Sequence, residues 1–418
     1  MKVMWFTNTL VLDRDQDDLS KLRYSGGWML ALCQGLRDRR PEIELAIVTT
    51  HPGSSTERYA SGGIDCFLVP MRSNSSERQQ AAALKECARI VEEWGPDVIH
   101  IHGTERFFGL LSARRMVSAP TAISIQGLMQ PYAEWYHFFG DRSLADIIRM
   151  HRLIEIPVMR GLIWDYRRFR KAARREREII LGNRHFMGRT LWDRAHLHSI
   201  NPDARYYRAE EAIRRPFWDV RWDISRCRKR RIIYVNPNHP RKGAETLFKA
   251  ADILKRICPE LEVALVGTIS SRSGYGRYVK KEIGKRNSYL CELGPLNAVE
   301  MAQELCRSHV FVSPSFIENS PNGICEAQLV GMPVVSSYTG GVPSLLKDRY
   351  SGLFFPTGDA PQLAATVSRI FEDDALAEML GRNAHVAASA RHDIGSIADR
   401  LADIYGHVIQ MSPEGLQA

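Results

Sequence analysis

The chain has 418 residues, 44% hydrophobic, 25% charged and 9% aromatic, proportions that exclude collagen-like, coiled-coil and wholly disordered chains. Its 57 Lys and Arg against 48 Asp and Glu leave a net charge of +9, and its length favours two or three domains over one. No uncharged apolar run approaches the roughly 18 residues that span a bilayer, and eight scattered cysteines without a C-x-x-C pair fit a reducing cytoplasm.

From the N-terminus, Val3 to Phe6, Leu45 to Val48, Cys66 to Val69, Val98 to Ile101 and Ala122 to Ile125 are apolar runs of strand length. Segments of helical spacing separate most of them, which predicts βαβ units in an open, doubly wound parallel sheet. Thr7, Asn8 and Thr9 interrupt the first run, so it reads as a strand and turn, not a signal peptide. The pattern lapses through Arg149 to Arg189, where twelve basic residues stand against four acidic ones, a net of +8. Within it Leu162, Tyr166, Phe169 and Ala173 recur at helical spacing while Arg167, Arg168, Arg170, Lys171, Arg174 and Arg175 cover the other faces. Such a helix either lies on an anionic membrane surface or packs into a core with a solvated basic face. Arg205 to Arg231 adds ten basic residues against four acidic, so a polyanionic partner would meet the middle of the chain. Without a zinc-finger, RRM or KH signature, nucleic acid is not expected.

Asn201 to Arg231, polar and rich in Trp and Tyr, reads as a docked linker, with the domain boundary near 210. Strand-like runs restart at Ile232 to Val235 and continue through Val263 to Val266, Leu290 to Leu293, Val310 to Val312 and Val334 to Ser336. The expected architecture is α/β: two Rossmann-like halves, 1–210 and 211–393, whose ligands lie at the carboxyl ends of the strands in a shared cleft.

The most informative stretch runs from Ser313 through Glu318 and Ser320-Pro321-Asn322-Gly323-Ile324 to Glu326. Ser320 suits an N-cap and Pro321 the first helical position. The N–H groups of Asn322, Gly323 and Ile324 would then form a phosphate site backed by the helix dipole. Glu318 precedes this helix and Glu326 lies inside it, so the two do different jobs: one reaches a sugar, the other a ribose. The bland alternative is a capped helix with two incidental glutamates.

The pair Glu318 and Glu326, the Pro321-Asn322-Gly323 start, Gly331-x-Pro333-Val334-Val335 and Thr339-Gly340-Gly341-Val342-Pro343 together resemble the retaining nucleotide-sugar glycosyltransferases of family 4, which have the GT-B fold. Lys242-Gly243 resembles the family's diphosphate-binding Lys-Gly. Gly267, and Gly294 with Leu296 after it, resemble its strand ends near the base, and Ser25-Gly26-Gly27 its Gly-Gly loop at the donor phosphates. The resemblance implies Glu318, Lys242 and His102 as catalytic residues. It implies a donor site of Gly26, Gly27, Asn236, Arg241, Lys242, Gly267, Gly294, Leu296, Asn322, Gly323, Ile324 and Glu326. It also implies a C-terminal helix, 394–410, that returns to the N-terminal domain. Two departures stand out. Asn236 and Pro237 occupy the place of the family's usual Arg, for which Arg241 could compensate. Gln126 replaces a His near the transferred sugar, leaving that acceptor-side space to His102.

Asp13-x-Asp15 and Asp15-x-Asp17 match a metal-diphosphate motif, but their early position and the lysine-based site downstream argue against metal. His100-x-His102 and His196-x-His198 have no evident third ligand, and a Rossmann G-x-G-x-x-G is absent. The expectation is a cytoplasmic, metal-independent retaining transferase taking a nucleotide-sugar, with UDP as the nucleotide, to a glycan or lipid-linked acceptor. No cofactor is expected, and contact with an anionic membrane through 149–189 is an open option. The rivals are a sugar-nucleotide epimerase of similar fold and a non-enzymatic polyanion-binding protein.

Overall fold

The computed structural model describes residues 1–9, 27–72, 76–150, 155 and 159–412. Its contacts divide the chain into two compact units. The first gathers 1–129, 172–213 and 392–418, and the second 130–171 and 214–391. The chain therefore changes unit four times, and 130–171 joins the second unit although it lies within the 1–210 segment that sequence assigned to the first half.

The first unit is built on eight strands: β1 (Lys2–Phe6), β2 (Glu44–His51), β3 (Glu57–Ser61), β4 (Ile64–Pro70), β5 (Val98–His102), β6 (Thr121–Ser124), β7 (His185–Gly188) and β8 (Arg205–Arg208). Their order is β3-β4-β2-β1-β5-β6-β7-β8, and all pairings are parallel except β3 with β4. The central strands are buried on both faces, which explains why they read as continuous apolar runs. The helix Glu77–Trp94 has a capping box at Ser76 and Gln79 and ends at Gly95 in the left-handed region. Near the C-terminus, the helix Ile394–Gln410 packs on the helix Gly27–Arg39, and Tyr405 Oη lies 2.9 Å from the Trp5 indole N–H that donates to it and 2.7 Å from His100 Nδ1. Contrary to the sequence expectation of a linker, 201–231 contains β8, whose Arg-Tyr-Tyr-Arg run pairs with β7 as a half-exposed edge strand.

The second unit carries β9 (Arg228–Val235), β10 (Glu262–Val266), β11 (Leu290–Gly294), β12 (Ser308–Ser313), β13 (Val334–Ser337) and β14 (Leu353–Phe355), all parallel in the order β11-β10-β9-β12-β13-β14. Segment 130–171 adds the helices Trp135–Phe139 and Leu144–Met150 and the first half of Leu162–Leu181. Phe138 packs edge-on against Tyr166 and Phe169 at 5.2 and 5.1 Å. Leu162 is buried with them, while Arg167, Arg168, Arg170 and Lys171 are exposed. The apolar stripe of the basic helix is thus spent on the core. Among the described residues no helix is long and apolar enough to cross a membrane, and all eight cysteines are free.

Burial pushes five imidazoles below their ordinary range: His102 to about 3, His185 and His309 to about 4, and His100 and His239 well down, with neighbouring cations adding to the effect. In the unfolded chain these groups take up protons near pH 6.5, while the folded chain resists them. Stability should therefore fall as pH drops from 7 to 5, by up to about 1.4 kcal/mol per pH unit for each fully neutral histidine. Glu105 and Glu326, raised by burial, act in the opposite direction. Urea midpoints at pH 7, 6 and 5 measure the slope, and a His185→Gln/His309→Gln variant should show a shallower one. A flat profile over that range would contradict the assignment.

Candidate functional site

In the second sheet the chain enters at β9, builds outward to β10 and β11, then crosses to β12 on the other side. The loops after β9 and β12 therefore leave from the two strands that flank the topological switch point, where parallel sheets place their ligands. After β9, Asn236 takes a left-handed φ of 60°, tolerated by Asn, and donates its N–H to Val266 O at 2.8 Å. His239 then caps the short turn Pro240–Lys242, its Nδ1 accepting from the Arg241 N–H at 3.2 Å. Gly243 follows with φ 73°, and a Cβ there would stand 1.9 Å from the Pro314 carbonyl oxygen. Only glycine meets both demands.

This close approach joins the two loops. Phe316 N–H donates to Arg241 O at 2.7 Å, and the Tyr234 hydroxyl to Lys242 O at 3.0 Å. The Lys242 ammonium forms an ion pair with Glu318 Oε1, an oxygen that also accepts from Ser315 Oγ at 3.1 Å. Glu318 O in turn accepts the Gly341 N–H at 2.9 Å, so both ends of this residue are fixed. Glu318 is buried and Lys242 partly so.

The helix beside them spans Asn322–Val330, and its start differs from the sequence reading. Pro321, extended at ψ 121°, is itself the N-cap, and no side chain caps the helix, so Ser320 does not serve that role. Pro321 O accepts from Ile324 at 3.0 Å and Cys325 at 3.3 Å. The Ile324 amide is therefore committed within the helix and is not a phosphate donor. Asn322 and Gly323 occupy the first two positions of this helix, at the positive end of its dipole. A Cβ on Gly323 would lie 2.9 Å from Phe311 Cζ and 3.1 Å from Val235 Cγ2, so glycine lets the positive end of the helix settle onto the ends of β9 and β12. Glu326, one turn further in, is buried and accepts from the Arg214 guanidinium at 2.8 Å. Burial raises its pKa, and Arg214 pulls the other way.

The remaining second-unit candidates are spread more widely. Gly267, at φ 120°, follows β10 beside Asn236 and donates its N–H to Gly294 O at 2.8 Å; Leu296 is half-buried in the loop before the helix Ala298–Arg307. The Arg241 guanidinium lies over Tyr132 and Phe169, 5.4 and 5.6 Å from the ring centres, where it is held by aromatic faces. In the first unit Gly27 opens the helix Gly27–Arg39, while Gly26 and the Asp13 to Asp17 motif fall outside the described residues. His102 ends β5, fully buried, 3.8 Å from the His100 ring and 4.7 Å from Trp5, and neither of its ring nitrogens has a hydrogen-bond partner. Gln126 is half-buried just beyond β6. His198 Nε2 contacts Ala204 O at 3.1 Å and His196 packs on Trp192. Among the described residues no three His, Cys, Asp or Glu side chains are grouped to hold a metal.

Sequence reasoning missed Arg214, His239 and Ser315. Arg214 lay in the stretch taken for a linker, and the other two act only through contacts that folding creates. The arrangement presents a lysine, a helix N-terminus and two glutamates at one switch point, a set able to bind an anionic diphosphate and the hydroxyls beside it.

The profile described as "Glycosyl transferases group 1" matches residues 221–386, and that described as "Glycosyl transferase 4-like domain" matches 29–207. Over 350 residues the chain is 24% identical to the sulfoquinovosyl transferase SQD2 of Arabidopsis thaliana, covering 82% of this chain and 62% of that protein. The chain thus spans less than two thirds of that relative's length. Its fold is similar to that of sucrose-phosphate synthase from Thermosynechococcus elongatus, with a TM-score of 0.74 at 16% identity over 98% of this chain and 100% of the other. It is also similar to Anabaena HepE, solved in complex with UDP and glucose, with a TM-score of 0.67 at 15% identity over 97% and 99% of the two chains.

Gly243→Ala should destabilise the protein by about 2 kcal/mol or more, because the new methyl group needs a left-handed backbone and displaces the Pro314 carbonyl. Urea denaturation measures it. A midpoint equal to that of the unaltered protein would show that the two loops are not held as described.

Proposed function

The chain belongs to the GT-B glycosyltransferases of the family 4 type, and from that premise we propose that it transfers a sugar, with retention and without a metal, from a UDP-sugar to a glycan or lipid-linked acceptor of the cell surface. The observation that carries the donor half is the meeting of Lys242, Glu318 and the Gly323 helix end at the switch point of the second sheet. Departure of the nucleoside diphosphate builds negative charge on its outer phosphate. Lys242 and the Gly323 amide are suited to stabilise that charge as it develops. Glu318, already fixed by Ser315 and Gly341, would turn from Lys242 to a sugar hydroxyl as the diphosphate takes over the lysine. Glu326 would accept from the ribose hydroxyls, with Arg214 holding its orientation and its charge.

Retention would proceed by attack on the same face of the sugar, the leaving phosphate taking the acceptor proton. His102 is neutral at physiological pH and would serve as a hydrogen-bonding group near the sugar, not as a cationic acid. UDP is favoured by the HepE complex, and a cytoplasmic setting is part of the same reading. The exposed Arg167, Arg168, Arg170 and Lys171 leave contact with an anionic membrane to charge alone, since the apolar stripe beneath them is packed inward.

Glu326→Ala should weaken UDP binding about tenfold to a hundredfold, the worth of hydrogen bonds to a charged group. Glu318→Ala should retain UDP while turnover falls about a hundredfold or more. Calorimetry and initial rates separate the two; unchanged UDP affinity in the first variant or full turnover in the second would remove the assignment.

Metal independence has its own test. Sugar transfer should survive EDTA, and Asp15→Asn with Asp17→Asn should leave UDP affinity as it was. Loss of turnover in the chelator, restored by Mg²⁺ or Mn²⁺, would refute it.

A further inference from the structure

We propose that Arg142 is a positioning residue for the donor: it neutralises Glu245 and so keeps that carboxylate from competing with the donor diphosphate for Lys242. The inference rests on the reading of Lys242 as the diphosphate ligand. Arg142 belongs to segment 130–171, which the second unit gathers to itself. Its guanidinium pairs with Glu245 Oε1, the two side chains being only 11% and 17% exposed, and lies 4.4 Å from the ring centre of Tyr278 and 5.6 Å from that of Tyr275. Glu245 stands in the first turn of the helix Ala244–Ile257, directly after Lys242-Gly243.

Two ion pairs are thus anchored on one turn and the helix that follows it: Lys242 with Glu318, and Glu245 with Arg142. Tyr234 links them. Its hydroxyl donates to the Lys242 carbonyl, and both Glu245 and Glu318 add to the effect of burial in raising its pKa. A nearly buried carboxylate stripped of its partner is costly and seeks another cation. Arg142 is a planar fork held against the rings of Tyr278 and Tyr275, whereas Lys242 carries three donors on a flexible stem and can be drawn away. The same segment fixes the rest of the loop: Phe138 packs edge-on to His239 at 4.6 Å, and Tyr132 and Phe169 hold Arg241. With His239, Arg241 and Glu245 each occupied by segment 130–171, Lys242 is left to Glu318 and the donor.

Calorimetric titration of the full chain with UDP tests this, each variant first being checked by circular dichroism and melting. Arg142→Gln should weaken UDP binding about tenfold, and adding Glu245→Gln to it should restore affinity to within about threefold, because the competing charge is gone. Arg142→Lys and Glu245→Gln alone should each stay within about threefold of the unaltered protein. A pair that merely braces the fold would lose from either side. Equal weakening in Arg142→Gln and Glu245→Gln, unaltered affinity in a folded Arg142→Gln, or a double variant no tighter than Arg142→Gln would each overturn the proposal. Where Arg142→Gln does not fold, Glu245→Gln decides: preserved or tighter UDP binding supports the proposal and weakened binding overturns it. Lys242→Ala is the control on the underlying reading. Unchanged UDP affinity there would remove the donor site itself, a result distinct from failure of the Arg142 variants.

Discussion

The approach of Gly243 to the Pro314 carbonyl is the constraint on which the candidate donor site depends. Lys242 and Glu318 are separated by 76 positions in the sequence and sit on loops that leave different strands. A side chain at 243 would part those loops, and the ion pair would be lost with its surroundings. Because the loops touch through backbone, their charged side chains are positioned by the sheet and not by the charges themselves. That order of cause matters for binding. A nearly buried Lys–Glu pair is of uncertain net value to stability, since desolvation offsets much of the attraction. On the proposed reading the pair needs only to be present, for exchange with an anionic ligand.

The central strands were legible in the sequence because both their faces are buried and their apolar runs are unbroken, as in Val3 to Phe6 and Ile232 to Val235. The strands that escaped notice lie towards the margins of the sheets. β3 and β8 are edge strands of alternating or polar sequence, β14 is a three-residue edge, and β7 is a short run amid basic residues. The helix start at 322 was legible to within one residue, but whether Pro321 or Ser320 capped it depended on a backbone angle that composition does not determine. Least legible was the allegiance of 130–171. Local periodicity shows that Tyr166 and Phe169 share a helix face, yet nothing local says that the face meets Phe138, or that Arg142 finds Glu245 about a hundred residues on. Such pairings are tertiary, and so are Arg214 with Glu326 and His239 with Phe138.

The two sheets also differ in what stands at their switch points. In the first unit the reversal falls between β1 and β5, and there β5 carries two histidines whose rings lie 3.8 Å apart, tilted by 34°, beside Trp5. His100 is anchored by Tyr405 and by Ser124, each at 2.7 Å, and burial keeps both imidazoles neutral. The nearby guanidinium of Arg189 is taken by Glu211 at 3.2 Å, with both side chains almost fully buried. These buried groups have hydrogen-bonding capacity without net charge.

The second switch point offers a lysine, a helix N-terminus and carboxylates whose cationic partners are close at hand. A neutral imidazole can direct a hydroxyl but cannot offset the charge of a departing diphosphate, whereas a lysine at a helix end can do so without waiting for solvent to reorganise. On the proposed reading, the stabilisation of the departing diphosphate therefore belongs to the second unit. That assignment follows from which side chains its sheet leaves charged after burial has acted on them.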